Sequence, residues 1–427
     1  MKVRKITPLR LYTIFAIIVS ITALLILSFR HKLVLDPLGT PAAPSAYWPV
    51  QSIDTMKYSR DAAREGANNP EFDILIDNQV REIAKTGATH VAIGTPYDAE
   101  FIPYMSKWIE AARKYKLKVW FRGNMAGWEG WFEYPRIDRT VHTQSVKDFI
   151  LENPTLFEDG DIFVSCPECE NGGPGDPRMT QDTEGYRSFI INEYKVVKQA
   201  FKDINKSVIA NYYSTNGDVA RLIMDKETTK QLDGIIAVDH YVKSPQQLVE
   251  DIDDYARQSG GKVVLGEWGA PIPDIHGEMT PEEQADYLEE TFDLLKDNEN
   301  IEAINYWVSR GGSTELWSDD ATPKAGVAVL RKYFKPRMIT GKIVDINGNG
   351  IGDMTIMTQK RHVKSDKDGL FAIPVIEDYE ISIMKDDYSQ RVVTLKEADT
   401  DLGHVEMQLV NEDFVDKLKL FFRSLLP

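Results

Sequence analysis

Two glutamates at the ends of apolar runs are the residues of this chain best suited to chemistry. Glu267 follows the run 263–266, and Glu168 closes a similar stretch that begins at residue 161. Such runs predict buried strands, so each glutamate is expected at the mouth of the fold rather than inside it. Taken singly, a glutamate at this position is more often a solvated loop residue or a helix cap. Together, two carboxylates at strand ends indicate acid/base chemistry on a sugar, provided that one barrel holds both.

Alternating strand and helix patterns fill the chain from residue 47 to about 335. Strands are predicted at 50–56, 89–94, 118–121, 161–166, 207–212, 234–239, 262–266 and 301–307. Helices are predicted at 75–86, 101–115, 144–151, 184–201, 245–258, 281–296 and 323–333, with Thr280 and Pro281 opening the sixth. Eight such units in about 290 residues predict one (β/α)8 TIM barrel. A doubly wound sheet is less favoured, because no glycine-rich phosphate loop follows an early strand.

On such a barrel the carboxyl ends of the strands open onto one face, where the active site is expected. The residues predicted there include carboxylates, amides, aromatics and a histidine. Sugar hydroxyls need hydrogen-bond partners and pyranose faces pack on aromatic rings, so this set suits a carbohydrate. The predicted residues are Tyr97, Asp98, Arg122, Asn124, Glu168, Asn211, Tyr212, Tyr213, Asp239, His240, Tyr241, Glu267, Trp268, Trp307, Ser309 and Arg310.

The loop 125–139 after the third strand is rich in aromatic residues. Its rings either line sugar subsites or pack the loop onto the barrel, and at least one is expected to lie exposed in a groove. The rings are those of Trp128, Trp131, Phe132 and Tyr134, and Trp317 after the eighth strand is a similar candidate. His142 and His276 are expected at the surface.

With these residues in place, the region 47–335 resembles the large clan of retaining (β/α)8 glycoside hydrolases that includes cellulases, mannanases and β-galactosidases. The resemblance implies that Glu267 is the nucleophile and Glu168 the general acid/base. It also implies that Tyr241, next to His240, bonds the nucleophile and that Trp307 floors the subsite beside the cleaved bond. Arg122 matches the arginine near the nucleophile only loosely. The chemistry implied needs no cofactor and no metal.

One departure from this clan stands before the acid. Pro167 occupies the place of the asparagine that usually bonds the sugar 2-hydroxyl. That contact is then missing, or Asn124 or Asn211 supplies it. Glu170 is the alternative acid, and Glu168 is preferred because it is nearer the end of its strand.

Charge and cysteine content narrow the function further. The formal net charge of −16 argues against nucleic acid, because binding a phosphate backbone needs a basic surface. The two cysteines, Cys166 and Cys169, cannot form a disulfide framework. They form either one local disulfide or two partly buried thiols, and no cluster of further ligands indicates a zinc site.

The N-terminal residues predict a membrane anchor. Basic residues within 1–10 precede an apolar run over 11–29, which is about long enough to cross a bilayer. No small-x-small cleavage site follows the run, so an uncleaved signal anchor is favoured over a cleaved signal peptide. The charge distribution predicts a cytoplasmic N-terminus and an extracytoplasmic body at the cell membrane. Residues 30–46, rich in proline and alanine, are the expected linker.

The region 338–410 has strand patterns separated by turns at 347–350 and 366–369, and it resembles carboxypeptidase regulatory-like β-sandwich domains. Asp345 and its neighbours imitate a calcium loop, but the twelfth position is Ile356, so plain turns are predicted. Residues 411–427 form an amphipathic pattern, expected to be a helix packed on the protein or lying on the membrane.

The expected function is therefore that of a membrane-anchored retaining glycoside hydrolase that cleaves β-linked poly- or oligosaccharides. A non-catalytic cell-surface glycan-binding protein and a transglycosylase with the same residues are the alternatives. The sequence leaves open the sugar, the linkage, endo or exo action, and the oligomeric state.

Overall fold

The computed structural model describes residues 46–358 and 361–410. The predicted anchor over 11–29, most of its linker and the predicted helix over 411–427 lie outside these residues. Among the helices described, none is long and apolar enough to cross a membrane.

Eight parallel strands form one curled sheet. They are β1 (Val50–Asp54), β2 (His90–Ile93), β3 (Lys118–Phe121), β4 (Ile162–Phe163), β5 (Ser214–Asn216), β6 (Ile235–Asp239), β7 (Lys262–Trp268) and β8 (Ile301–Tyr306). Their order in the sheet is β4-β3-β2-β1-β8-β7-β6-β5. A parallel bridge between Ile162 and Ile209, with the Phe163 amide donating to the Ile209 carbonyl at 2.8 Å, joins the two edges. The predicted TIM-like barrel is thereby confirmed.

Helices surround the sheet and bury their apolar faces against it. The longer ones are Glu71–Lys85, Ile102–Lys114, Arg139–Glu152, Thr183–Asp203, Pro245–Ser259, Pro281–Leu295 and Ala325–Phe334. Shorter helices are Ala63–Gly66, Ala126–Glu129, Cys169–Gly172, Pro177–Thr180, Gly217–Ile223, Lys226–Gln231 and Pro273–His276, and single turns lie at Lys57–Asp61, Ala99–Phe101, Trp131–Glu133 and Pro154–Leu156. Thr280 forms the predicted N-cap, completed by the side chain of Glu283 as a capping box.

The fifth strand lies further along the chain than its prediction at 207–212. The apolar run there makes only the Ile209 bridge, and the Tyr212 ring turns into the barrel, 5.4 Å from the ring of Trp120. The regular pairing with β6 begins at Ser214. The seventh strand is longer than predicted and continues through Glu267 to Trp268.

Side chains inside the barrel form an apolar layer below a polar one. The apolar layer comprises Val50, Ala92, Trp120, Ile162, Val164, Tyr212, Ala237, Val264 and Ala303. Because side chains alternate along a strand, the next inward positions toward the carboxyl ends lie two residues later. Polar and charged residues occupy several of these positions, among them Arg122, Asp239 and Asn305.

Two further sheets, in which most strand pairs are antiparallel, follow the barrel. One has the order β11-β10-β13-β14 and the other β12-β9-β15. Their strands are β9 (Arg337–Val344), β10 (Thr355–Met357), β11 (His362–Lys364), β12 (Leu370–Val375), β13 (Glu380–Lys385), β14 (Tyr388–Thr394) and β15 (Asp401–Glu406). Both sheets contribute to one apolar cluster that includes Ile343, Ile356, Ile373 and Ile383. Asp345 accepts the amides of Asn347 and Asn349, each at 2.8 Å, which is the geometry of a plain turn.

Candidate functional site

Arg122 is the centre of the polar layer. Its Nη1 donates to Asp54 Oδ2 and to Glu267 Oε1, both at 2.9 Å, and its Nη2 donates to Asp239 Oδ2 at 3.0 Å. These acidic groups come from β1, β7 and β6, so one guanidinium ties three strands together. Asn305 on β8 donates to the same Asp54 oxygen at 2.9 Å. Buried charges persist only when they are paired in this way.

A bulge in β7 brings Glu267 into this layer. Val238 pairs with Leu265, but the next residue, Asp239, pairs with Glu267, so Gly266 is an extra residue in the seventh strand. The extra residue turns Glu267 inward beside Asp239. Gly266 is required here, because a Cβ would collide with the Asp239 carboxylate and lie 2.7 Å from Cβ of Ser214. Glu267 is 7% exposed and lies next to the last residue of β7.

Two donors fix the carboxylate of Glu267. Arg122 binds Oε1, and the hydroxyl of Tyr241 donates to Oε2 at 2.9 Å. Burial raises the pKa of Glu267 to about 7, with the Arg122 charge opposing the rise and the Glu168 carboxyl reinforcing it. Both donors favour the ionised form.

Glu168 lies in a loop after β4 with φ 46° and ψ 48°, in the left-handed region. This conformation costs a non-glycine residue about 1–2 kcal/mol. Its backbone amide donates to the Ser214 carbonyl at 2.9 Å, and its carbonyl accepts from the Asn171 amide at 2.8 Å. Burial, reinforced by the negative charge of Glu170, raises the pKa of the Glu168 carboxyl. A disulfide joins Cys166 and Cys169 on either side, which decides between the two predicted states of the cysteines.

Glu170 has partners away from Glu267. Its Oε1 accepts the backbone amide of Asn216 at 2.5 Å and the Asn216 side-chain amide at 3.0 Å. Its Oε2 accepts the hydroxyl of Tyr186 at 3.3 Å. Glu170 is 4% exposed. Its contacts therefore join the loop after β4 to the end of β5.

A cavity of about 480 Å³ opens above Glu168 and Glu267, within the size range of ligand sites. Two carboxyl groups from β7 and the loop after β4 thus face one space. Its lining residues are Met56, Arg60, Asp61, Arg122, Glu129, Trp131, Phe132, Pro167, Glu168, Asn171 and Glu267.

Aromatic rings predicted for sugar contacts separate into two groups. Trp131 and Phe132 line the cavity, and the Arg60 guanidinium lies 5.0 Å from the centroid of the Trp131 ring. Trp307 lies beside the site, 6.3 Å between ring centroids from Tyr241. Trp128 instead is buried and stacks on Phe189 at 5.5 Å.

Two further residues predicted to contact substrate face the outer layer of the barrel. Trp268 is 1% exposed and packs edge-on against Phe292, because the residue after the bulge points to the helices. His240 donates from Nε2 to Asp251 Oδ2 at 2.8 Å, and burial lowers the pKa of the His240 imidazole. Neither side chain is among the residues that line the cavity described above Glu168 and Glu267.

Asn124 belongs to a buried network rather than to the cavity lining. Its Oδ1 accepts the amide of Met125 at 2.9 Å and contacts Nε2 of His142 at 2.8 Å, and its Nδ2 donates to Glu129 at 3.0 Å. His142 is fully buried and bonds Glu193 through Nδ1 at 2.7 Å, so its predicted place at the surface is wrong. His142 lies in the helix Arg139–Glu152, most of whose residues are polar, and that pattern does not indicate a buried histidine.

The other predicted amide and hydroxyl groups also have protein partners. Asn211 donates to the Leu232 carbonyl at 2.9 Å. The Tyr213 hydroxyl accepts from Ser165 at 3.0 Å, deep in the core. Asn211 and Tyr213 follow the predicted fifth strand, but this position did not direct their side chains to the inward face.

His276, which was expected at the surface, is half-buried, and its Nε2 contacts the Val242 carbonyl at 2.8 Å.

Several residues of the site were not predicted from the sequence. Asp54 is the last residue of β1, which had the least regular pattern, and its charge in an otherwise uncharged strand was the available signal. Glu129 is a third carboxyl in the cavity, and burial raises its pKa to about 7. Arg60 and Asp61 lie in the turn after β1 and line the cavity, and no sequence pattern predicted that position for them.

The arrangement combines an anchored carboxylate with a second carboxyl that holds a proton more easily. Glu267 has the Arg122 and Tyr241 donors, whereas Glu168 has no arginine bonded to it among the described residues. Arg122 and Tyr241 thus favour a charged Glu267, whereas burial and the charge of Glu170 raise the pKa of Glu168. In the described ranges, no group of three or more histidine, cysteine, aspartate or glutamate side chains could hold a metal ion.

No protein-family model and no curated protein matches the chain. Among solved structures, it is similar to a β-glucuronidase from Faecalibacterium prausnitzii, with 14% identity, a TM-score of 0.46, and coverage of 67% of this chain and 48% of that one. A β-glucuronidase from Dictyoglomus thermophilum shows 13% identity, a TM-score of 0.45, and coverage of 67% and 50%. A β-galacturonidase from Eisenbergiella tayi shows 14% identity, a TM-score of 0.44, and coverage of 67% and 51%. The chain thus spans about half the length of the solved structures that it matches.

Proposed function

We propose that this protein is a retaining β-glycoside hydrolase, with Glu267 as nucleophile and Glu168 as general acid/base. The observation that supports the proposal best is the shared cavity that both carboxyl groups line at the carboxyl ends of the barrel strands. Active sites of TIM-barrel enzymes occupy this face. Two carboxyl groups, one ionised and one protonated, are what double displacement at a sugar requires.

In the first step, the Glu267 carboxylate attacks the anomeric carbon while Glu168 gives its proton to the departing oxygen. The sugar is then bonded to Glu267, and the leaving alcohol departs neutral. In the second step, Glu168 takes a proton from water as the water attacks the same carbon, and Glu267 leaves as a carboxylate. Arg122 and Tyr241 hold Glu267 in place and stabilise its negative charge before attack and after release.

Trp131 supplies the aromatic surface of the sugar site. Its ring lines the cavity and is held by Arg60, which stacks on it at 5.0 Å. Pyranose rings pack their C–H faces on such rings, and a cation stacked on the ring restricts the orientation of the indole. Phe132 extends the apolar wall of the same cavity.

The test measures new reducing ends from a panel of β-linked glucans, mannans, xylans and galactans. The full-length chain, purified in detergent, is compared with Glu267→Gln, Glu168→Gln and Glu170→Gln, which keep side-chain size. We expect cleavage of one polysaccharide class, a loss of about 10³-fold or more in Glu267→Gln, and a loss of about 10²–10⁴-fold in Glu168→Gln. Glu170→Gln keeps an oxygen acceptor for Asn216 and serves as the matched control.

Two results would change the proposal in defined ways. Activity lost in Glu170→Gln and kept in Glu168→Gln would move the acid to Glu170. A wild-type chain that cleaves no polysaccharide but is retarded by one in affinity electrophoresis would establish a glycan-binding protein instead. Proton NMR of the first product distinguishes retention, which gives the β anomer, from inversion.

The proposal includes attachment to the cell membrane through residues 11–29, with the barrel on the extracytoplasmic side. It rests on the length of the apolar run and on the basic residues in front of it. Protease added to intact cells should digest the barrel of the full-length chain, and carbonate washing should leave the chain with the membranes. Release by the wash would remove the anchor from the proposal.

A further inference from the structure

The disulfide between Cys166 and Cys169 encloses Glu168. The ring contains only Pro167 and Glu168 between the two cysteines, and both of these residues line the cavity. Each cysteine is 1% exposed. The sequence contains no other cysteine, so this is the one covalent cross-link available to the chain.

A disulfide across so short a separation contributes little to the stability of the whole fold. The stabilisation gained by restricting the unfolded chain grows with the number of residues in the loop, and a sequence separation of three is near the lower limit. The barrel also has a large apolar core, of which the two cysteines are only a small part. The disulfide therefore acts mainly on the residues that it encloses.

Within the ring, Glu168 has the left-handed backbone conformation, with φ 46°. Glutamate, unlike glycine or asparagine, is seldom found there, and strained backbone of this kind persists only where its surroundings hold it. The Glu168 amide donates to the Ser214 carbonyl, and the Glu168 carbonyl accepts from the Asn171 amide. These two bonds hold the peptide groups on either side of the Glu168 Cα. The covalent ring is the third constraint, and it restricts the same rotations.

The neighbouring groups extend this constraint. The Asn124 side-chain amide lies 3.8 Å from Sγ of Cys166, and its other contacts join it to His142 and Glu129. Cys169 is the first residue of the short helix that carries Glu170, whose carboxylate binds Asn216. Both ends of the ring are thus attached to buried, hydrogen-bonded structure, and the turn between them points Glu168 into the cavity.

We propose that the Cys166–Cys169 disulfide positions the Glu168 carboxyl for proton transfer, so that the cross-link serves general acid/base catalysis rather than fold stability. The inference rests on the proposed glycosidase function. Cys166 and Cys169 are positioning residues, since neither reaches the reacting bond. Opening the ring frees the backbone at Glu168 to leave the left-handed region and moves the carboxyl away from the leaving oxygen.

The test uses two β-glycosides of the same sugar, chosen from the class that the wild-type chain cleaves. A methyl glycoside needs a proton on its leaving group, whereas a 2,4-dinitrophenyl glycoside departs without one. For both substrates kcat/KM reports the first step, in which Glu168 acts as acid. In Cys166→Ser/Cys169→Ser we expect kcat/KM for the methyl glycoside to fall about tenfold to a hundredfold, and kcat/KM for the dinitrophenyl glycoside to change less than about threefold. Glu168→Gln is the reference and should show the same selectivity more strongly.

Equal losses on both substrates, or no loss on either, would overturn the positioning role while leaving the glycosidase intact. A wild-type chain that cleaves neither these substrates nor any polysaccharide of the panel overturns the proposed function and this inference with it. If the double variant fails to fold, as a lost thermal transition would show, the same pair of substrates is applied to reduced wild-type protein. A small dithiol passes two electrons and two protons to the disulfide, giving two thiols and a cyclic disulfide of the reagent. Mass spectrometry after alkylation counts the thiols, and an unchanged substrate ratio at full reduction overturns the proposal.

Discussion

Nη1 of Arg122 lies 2.9 Å from Oε1 of Glu267, in a part of the barrel where the arginine side chain is shielded from solvent. The same guanidinium also binds Asp54 and Asp239. Removing it leaves three buried acidic groups without their cation. We therefore expect Arg122→Met to destabilise the fold by about 3–5 kcal/mol, measured by urea unfolding at pH 7.

The surface variant Arg257→Met is the control for that measurement, because Arg257 forms an ion pair with exposed Asp254 at the surface. It should change the free energy of unfolding by less than about 1 kcal/mol. Equal effects of the two substitutions would show that Arg122 is not the cation on which the polar layer depends.

Tyr241→Phe removes the other donor to Glu267 and leaves the ring in place. Because the Tyr241 hydroxyl favours the ionised carboxylate, its loss should raise the pKa of Glu267. We expect the acid limb of the kcat/KM profile to move to higher pH and the plateau to fall about tenfold. An acid limb that stays in place would separate Tyr241 from the nucleophile. Tyr287→Phe, which loses a bond to the Val242 carbonyl, is the matched control.

The pH profile of the wild type should be bell-shaped, because catalysis needs one proton on the Glu168–Glu267 pair. Activity falls at low pH as Glu267 takes up a proton, and at high pH as Glu168 loses its own. In Glu168→Gln, assayed with a dinitrophenyl glycoside, the alkaline limb should disappear. The acid limb should stay near its wild-type position, because Glu168 is already protonated and uncharged in the pH range where Glu267 takes up its proton.

Glu129→Gln should stabilise the protein at high pH. Burial raises the pKa of Glu129 from 4.5 to about 7 in the folded state. The folded state therefore binds this proton more tightly than the unfolded state, and the stability it gives, full below pH 4.5, is lost as pH rises to 7. Glutamine has no such loss, so we expect a gain of roughly 2 kcal/mol at pH 8, and a melting temperature higher by about 3–6 °C.

At pH 4 the same substitution should have little effect on the melting temperature. Exposed Glu133→Gln is the control, and it should shift the melting temperature little at either pH. A Glu129→Gln variant with the same melting temperature as wild type at pH 8 would show that this carboxyl is solvated in the folded protein.

The two tryptophans of the aromatic loop should respond differently to alanine substitution. Trp131 lines the cavity, so Trp131→Ala should raise KM about tenfold with little change in the free energy of unfolding. Trp128 is buried against Phe189, so Trp128→Ala should cost about 3–5 kcal/mol of stability. Steady-state kinetics and urea unfolding on both variants check the contrast. A raised KM in Trp128→Ala without loss of stability would contradict the division.

The barrel was predictable because its strands and helices have strong, regular patterns. The contacts between side chains of the site were harder to predict, because a position at the end of a strand does not tell which way the side chain points. Trp268 and His240 follow strand ends as closely as Tyr241 does, yet they face the helices. Asp54 belongs to the polar layer through its bond to Arg122, and Glu129 lines the cavity. Both contacts join distant parts of the chain, and the spacing of residues in the sequence does not reveal them.

The extra residue at Gly266 has a consequence for how this site can change. Along a strand, inward and outward positions alternate strictly, so the side on which a residue falls depends on the parity of its position. If Gly266 were instead paired regularly with Asp239, the two faces would be exchanged beyond it: Glu267 would turn toward the helices and Trp268 into the barrel. The same amino acids, in the same order, would then form a barrel with an indole where the carboxylate had been. The direction of the Glu267 carboxylate is thus set by one irregularity in strand pairing, which holds only while Gly266 stays out of register with Asp239.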